Sequence, residues 1–174
     1  MVNQVVNKVF LSHKAICSAQ AVELARALDE VTPGAGIFRS EGIREGHNWR
    51  DEIQRQLANA KCFILLYTNP ELDWSWCFYE AGKFLRKGHK VGCLHPKNVK
   101  LPSRLANLQN TTANQNDIRK WLEGDFFREV RSRRPTKQAL DRAVKAIENC
   151  VSGMPATEGT LEPYISIRPK TPGE

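Results

Sequence analysis

The sequence has no long apolar segment. No run of apolar residues in its 174 positions approaches the roughly 20 that a membrane-spanning helix needs. The first residues, Met1 to Lys8, also lack the charged-then-apolar layout of a secretory signal peptide. These absences argue against a membrane protein and against an exported one. With a hydrophobic fraction of 41%, the chain is expected to form a soluble domain with a real core.

Paired cysteine motifs are also missing. The chain has five cysteines, an odd number, and no Cys-x-x-Cys occurs. Because Cys62, Cys77 and Cys93 lie inside apolar segments, the sequence predicts buried reduced thiols and a cytoplasmic protein. The histidines show no metal-ligand spacing, so no metal site is expected. They are His13, His47, His89 and His95.

Familiar phosphate-binding motifs are absent. Gly34-Ala35-Gly36 is not a dinucleotide fingerprint, because Arg39 stands where the third glycine belongs. No Walker-type glycine loop occurs. A phosphate-accepting response regulator would need acidic residues where the chain has Ser12-His13 and Thr68-Asn69. A nucleophile with a His–Asp relay cannot be assembled either, so Ser12 and His13, adjacent at a strand end, are expected to line a pocket.

The net charge of +7 suggests attraction to anions, and much of it lies between Arg128 and Lys137. A solvated helix end explains that run better than a nucleic-acid surface does, because no aromatic residues alternate with the charges as a stacking platform needs. A phosphate-bearing small molecule is an equally good anionic partner.

Short apolar runs alternate with helical patterns along the chain. Strands are predicted at 8–12, 37–39, 61–68, 90–94 and near 105–111, and helices at 19–31, 48–60, 73–87, 118–126 and 136–151. This alternation predicts an α/β fold with a parallel sheet and helices on both faces. Residues 1–152 are the expected domain. Residues 153–174, rich in Pro and Gly, are an expected tail or linker, in which Tyr164 to Arg168 is either an edge strand or the start of another domain.

The most informative stretch is the helix predicted between Asp73 and Lys87. Its expected core stripe, at helical spacing, is Trp74, Phe78, Ala81 and Leu85. The opposite side carries Trp76, Glu80, Lys83 and Lys87. That side is either a solvated face with a Glu80–Lys83 pair or a binding site in which Trp76 touches Glu80 one turn later. The helix begins just past the carboxyl end of a central strand, where α/β sheets bind ligands, and this position favours the binding site.

Several ordered segments resemble the Toll/interleukin-1 receptor (TIR) domain. The run from Lys8 to His13 resembles the first-strand motif of that family. The run from Ile37 to Gly46, followed by Trp49, resembles its second strand and BB loop, although Ser40 stands where an Asp is common. Ile53 to Leu66 resembles the next helix and strand, and Ser75-Trp-Cys-Phe-Tyr-Glu80 resembles the Trp-Cys-x-x-Glu signature. The implied fold is flavodoxin-like, with a central five-stranded parallel sheet.

The resemblance implies one of two functions. Some TIR domains are non-catalytic adaptors that assemble signalling complexes. Others cleave NAD+ at the nicotinamide–ribose bond with a Glu on the helix after the third strand, and Glu80 matches that position. Trp76 matches the Trp-x-x-x-Glu pattern of members that also form cyclic ADP-ribose. A nucleotide-binding sensor without turnover is a third, less favoured interpretation.

The expected site therefore contains Glu80 as the catalytic residue. The expected substrate-binding residues are Trp76, Ser12, His13, Phe38 and Lys83. The expected BB-loop assembly residues are Glu41, Gly42, Ile43, Arg44 and Gly46. NAD+ is the substrate, so no separate cofactor is expected. The resemblance also implies homotypic association, in which a neighbouring subunit helps to complete the site.

Overall fold

The computed structural model describes residues 7–39 and 48–152. The expected BB-loop residues, Glu41 to Gly46, lie outside these ranges, as do the tail 153–174 and its candidate strand at Tyr164 to Arg168. No helix within the described ranges is long and apolar enough to cross a membrane.

The described residues form one parallel sheet of five strands. The strands are β1 (Val9–Ser12), β2 (Ile37–Arg39), β3 (Cys62–Leu66), β4 (Lys90–His95) and β5 (Gln109–Thr112). Their spatial order is β2-β1-β3-β4-β5, the flavodoxin-like order, and every pairing is parallel. The predicted α/β fold is therefore confirmed. The fifth strand begins later than predicted, because residues 103–106 form a short helix instead.

The helices follow the strands in alternation. They are α1 (Ser18–Val31), α2 (Trp49–Asn59), α3 (Ser75–Leu85), α4 (Ser103–Ala106), α5 (Gln115–Glu123) and α6 (Lys137–Ser152). Asn48 caps α2 as predicted, since its side chain accepts a hydrogen bond from the Arg50 backbone N–H at 3.2 Å. The predicted break after α5 is also present, because a 3₁₀ turn at Asp125–Phe127 follows Gly124.

The sheet separates two apolar cores. Alternate residues of β3 point to opposite faces: Ile64 packs with α1, α5 and α6, whereas Phe63 and Leu65 pack with α2 and α3. In β4, Gly92 leaves room for the Phe126 ring on the face that α1, α5 and α6 cover. A Cβ at that position would lie 2.9 Å from carbons of the ring. The α2–α3 layer is the one that covers the candidate site.

The predicted faces of α3 are only partly correct. Its buried residues are Cys77, Glu80, Ala81 and Phe84. Trp74 and Ala81, expected on the core stripe, are indeed buried, but Phe78 is only partly covered and Leu85 is 45% exposed. The helix is thus turned so that Glu80 faces the sheet rather than solvent. The apolar pattern predicted the wrong orientation for Glu80 because this helix buries a carboxylate. A buried carboxylate requires a polar partner, and the sequence of one helix does not show that partner.

Candidate active site

The candidate site lies where the strand order reverses. β2 pairs with one edge of β1, and β3 pairs with the opposite edge. Open α/β sheets bind ligands beyond the carboxyl ends of the strands at such a reversal of the strand order. Ser12 is the last residue of β1 and pairs in register with Leu65 of β3. Just beyond, the Lys14 ammonium donates to the Asp73 carbonyl at 2.6 Å and so ties the loop after β1 to the start of α3.

Ser12 and Glu80 meet at this edge of the sheet. The Ser12 hydroxyl donates a hydrogen bond to Glu80 Oε2 at 2.9 Å, and the two residues are only 1% and 2% exposed. Strand alternation explains the contact: Ser12 points to the same face as Phe10, the face that α2 and α3 cover. A β1 side chain and an α3 side chain 68 residues later thus share one buried hydrogen bond.

The second oxygen of Glu80 has a different environment. Glu80 Oε1 is buried and has no hydrogen-bond partner among the described residues. Burial raises the pKa of the Glu80 carboxyl from 4.5 to about 7, and the hydrogen bond from Ser12 opposes this rise. Raised pKa values of this origin are typical of residues at functional sites. The carboxyl therefore has a pKa near neutral pH, and one of its two oxygens is buried without a partner among the described residues.

A cleft of about 600 Å³ opens beside Glu80 between α2 and α3. This volume lies in the range of ordinary small-molecule sites. Its lining residues are Arg50, Ile53, Gln54, Leu57, Asp73, Ser75, Trp76, Tyr79, Glu80 and Lys83. The Trp76 ring is flanked by Trp49 at 5.4 Å and by Tyr79 at 5.3 Å between centroids. The cleft therefore combines an aromatic wall with a buried carboxylate.

A family comparison bears on this arrangement. The sequence model of one protein family, the TIR domain, matches residues 9–129 of the chain. The chain belongs to the TIR domain family. A search of curated proteins found no match. The family match spans β1 to β5 and ends before α6, which packs on α1 and α5 in the first core. The TIR family includes both NAD+-cleaving enzymes and non-catalytic domains, and membership alone does not separate them.

Three of the expected site residues line the cleft of this TIR domain, namely Glu80, Trp76 and Lys83. Ser12 reaches the cleft only through Glu80. The Glu80–Lys83 pair of the solvated-face interpretation does not form, because Glu80 binds Ser12 and the Lys83 ammonium lies 4.6 Å from the centroid of the Tyr79 ring.

The other two expected residues lie elsewhere. His13 is buried, and its Nδ1 lies 2.9 Å from the carbonyl oxygen of Lys14. Phe38 is 6% exposed and packs on the Phe10 ring at 5.2 Å, so it supports the core under the site instead of lining the cleft.

The sequence did not predict that residues of α2 form one wall of the cleft. Ile53 and Leu57 are core residues that also line the cleft, together with Arg50. Tyr79 was not predicted as a site residue, although it is 52% exposed beside Trp76. The available signal was the spacing of Trp76 and Tyr79, because residues three positions apart on a helix are neighbours.

Proposed function

We propose that this TIR domain is an NAD+ glycohydrolase that cleaves the nicotinamide–ribose bond to give nicotinamide and ADP-ribose. The observation that carries the proposal is Glu80: a buried carboxylate that lines a cleft, is held by Ser12 through one oxygen, and leaves the other oxygen without a partner among the described residues. The proposed role is signalling or defence in the cytoplasm.

The proposed chemistry needs only one carboxylate. Nicotinamide is attached to ribose as a pyridinium cation and leaves as a neutral base, so no acid has to protonate it. This differs from ordinary glycosidases, which use two carboxyl groups. Glu80 acts on the ribose, which becomes oxocarbenium-like as the bond breaks. Its free oxygen is available to stabilise that positive charge and to accept a hydrogen bond from a ribose hydroxyl.

Burial of Glu80 favours this role energetically. An ionised carboxylate with one unpartnered oxygen is costly to bury, and a cationic ligand relieves that cost. The relief grows as positive charge develops on the ribose beside the carboxylate, so binding is stronger in the transition state than in the ground state. A raised pKa of about 7 means that much of the free protein carries the charge at neutral pH.

Trp76 is proposed to hold the substrate and to influence the product. It is half-buried on the cleft wall, between Trp49 and Tyr79. An aromatic base stacks well on such a surface. If water attacks the reacting carbon, ADP-ribose results. If a base stacked on Trp76 is held near that carbon as an internal nucleophile, a cyclic ADP-ribose results.

A non-catalytic adaptor is the alternative function. The observation that favours it is that the Ser12–Glu80 hydrogen bond ties β1 to α3 and so has a structural use without any turnover. A purely structural carboxylate, however, is expected to have both of its buried oxygens satisfied. Glu80 Oε1 is not satisfied by the described residues, and this favours the enzyme.

Incubation of the purified protein with NAD+ tests the proposal. Chromatography of the reaction should show nicotinamide released with time, together with linear or cyclic ADP-ribose in equal amount. The same incubation without protein is the control for spontaneous hydrolysis. If NAD+ remains intact at high protein concentration and at pH 8, where Glu80 is ionised, the adaptor function is the correct one.

A further inference from the structure

The cleft is lined by charged residues, and its basic residues form no ion pair with any described residue. Of its two basic residues, Arg50 stands in the first turn of α2 and Lys83 stands one turn beyond Glu80 on α3. Neither forms an ion pair with any described residue. The Lys83 ammonium lies over the Tyr79 ring at 4.6 Å. Two cations thus line one cleft without an ion pair to any carboxylate that the structure describes.

The acidic neighbours of Arg50 are occupied elsewhere. Asp51 accepts a hydrogen bond from the Asn48 side chain at 2.8 Å, and Glu52 pairs with Arg55 at 2.6 Å. Asp73 also lines the cleft, but one of its carboxylate oxygens accepts from the Ser75 backbone N–H at 2.9 Å. Arg50 is therefore left with its charge directed to solvent or to a ligand in the cleft.

The charged residues of the cleft lie at different depths and at different positions along the helices. Glu80 is 2% exposed, Lys83 is half-buried and Arg50 is exposed, so the carboxylate lies deepest. The rise of a helix places Lys83 about 4.5 Å along α3 from Glu80, on the side away from Asp73. A ligand that fits has a cationic group at Glu80 and an anionic group at a short distance from it. A dinucleotide with a pyridinium base and a pyrophosphate has this layout.

We infer that Arg50 and Lys83 bind the pyrophosphate of the substrate, so that the cleft selects dinucleotides over nicotinamide riboside. This inference rests on the proposed function, because the position of the pyridinium at Glu80 sets where the phosphates fall. Arg50 supplies a planar fork for two phosphate oxygens and Lys83 supplies a point charge.

The test compares two double substitutions that remove the same charge. R50Q/K83Q removes both cleft cations. R86Q/K87Q removes two exposed cations just after α3 that do not line the cleft, and it controls for long-range attraction of the anionic substrate. The kcat/KM values for NAD+ and for nicotinamide riboside are measured for each protein. Urea denaturation of every variant shows whether the fold is retained.

R50Q/K83Q should lower kcat/KM for NAD+ about 10- to 100-fold, mainly through KM, since charge-assisted hydrogen bonds to phosphate are lost. The ratio of kcat/KM for NAD+ to that for nicotinamide riboside should fall by a similar factor. R86Q/K87Q should leave this ratio as in the unmodified protein. R50K/K83R, which keeps both charges, should recover part of the lost selectivity. An unchanged ratio in folded R50Q/K83Q overturns the inference.

A binding measurement separates this inference from the proposed function. Calorimetric titration with ADP-ribose should give a dissociation constant that R50Q/K83Q weakens about 10- to 100-fold and that R86Q/K87Q leaves in place. If the unmodified protein releases no nicotinamide from NAD+, the proposed function fails while this titration still decides the role of the two cations. Equal affinity in all three proteins, or no ADP-ribose binding to the unmodified protein, overturns the phosphate site.

Discussion

At the scale of single residues, the charge of Glu80 depends on its burial and on Ser12. Burial raises the pKa of the carboxyl to about 7, and the Ser12 hydrogen bond opposes that rise. The proposed chemistry requires the ionised form, since a neutral carboxyl cannot stabilise an oxocarbenium-like ribose by charge. The pH dependence of cleavage is therefore a direct report on this one group.

The pH profile gives the first prediction. The kcat/KM for NAD+ should fall about tenfold per pH unit below pH 7, because it follows the ionised fraction of Glu80 in the free protein. Ser12→Ala removes a hydrogen bond that favours the charge, so the fall should begin at higher pH and activity at pH 7 should drop roughly 2- to 10-fold. Ser103→Ala, at an exposed position in α4, is the matched control. Coincident profiles for Ser12→Ala and the control would contradict the coupling.

Stability gives a second prediction with a definite sign. The folded state holds the Glu80 proton up to a pKa of about 7, whereas the unfolded chain releases it near 4.5. Between these values the folded state binds more protons, so the free energy of unfolding falls as pH rises, by roughly 3–4 kcal/mol at most, and this contribution levels off about one unit above the folded pKa. Glu80→Gln should therefore be more stable than the unmodified protein at pH 8.

Chemical denaturation at pH 4 and pH 8 checks this sign. The difference between Glu80→Gln and the unmodified protein should be small at pH 4, where both side chains are neutral, and should favour Glu80→Gln at pH 8. The contradicting result is a stability difference that shifts in favour of the unmodified protein between pH 4 and pH 8. It would show that Glu80 has a charged partner in the fold.

At the scale of elements, the strands were more predictable than the faces of the helices. β1 and β3 were predicted from short apolar runs, and they are apolar throughout because both faces of a parallel sheet are buried. The face of α3 was mispredicted because Glu80 is buried by a hydrogen bond to a residue on β1, a contact that helical periodicity does not contain. The α2 wall of the cleft was likewise unpredicted, since it comes from a different part of the chain than α3.

The observed orientation of α3 changes the stability loss expected when each of its aromatic residues is truncated. Phe84 is fully buried against Phe63 at 5.7 Å, so Phe84→Ala should lower the free energy of unfolding by about 3–5 kcal/mol. Phe78 is only partly covered, and its truncation should cost clearly less. Urea denaturation of both variants is the measurement. A larger loss for Phe78→Ala than for Phe84→Ala would return α3 to the orientation predicted from its sequence.

At the scale of the whole molecule, a small domain with its cleft at an open sheet edge shields a reaction poorly from water. The family resemblance implies that association of two subunits completes the site, and this remains a prediction. Specific activity should rise with protein concentration or with crowding, alongside a rise in molecular mass by light scattering. Constant specific activity over a wide dilution series of a monomer would mean that the cleft between α2 and α3 works alone.

The most direct test of the account is nicotinamide release by Glu80→Gln. The substitution keeps the size of the side chain and its capacity to accept the Ser12 hydrogen bond, but it removes the charge. Glu71→Gln, at an exposed position before α3, is the matched control and should retain full activity. The account predicts a fall of at least about 100-fold in kcat for folded Glu80→Gln at pH 8, the scale of losing a main electrostatic stabiliser. Cleavage of NAD+ by that folded variant at the rate of the control would contradict it.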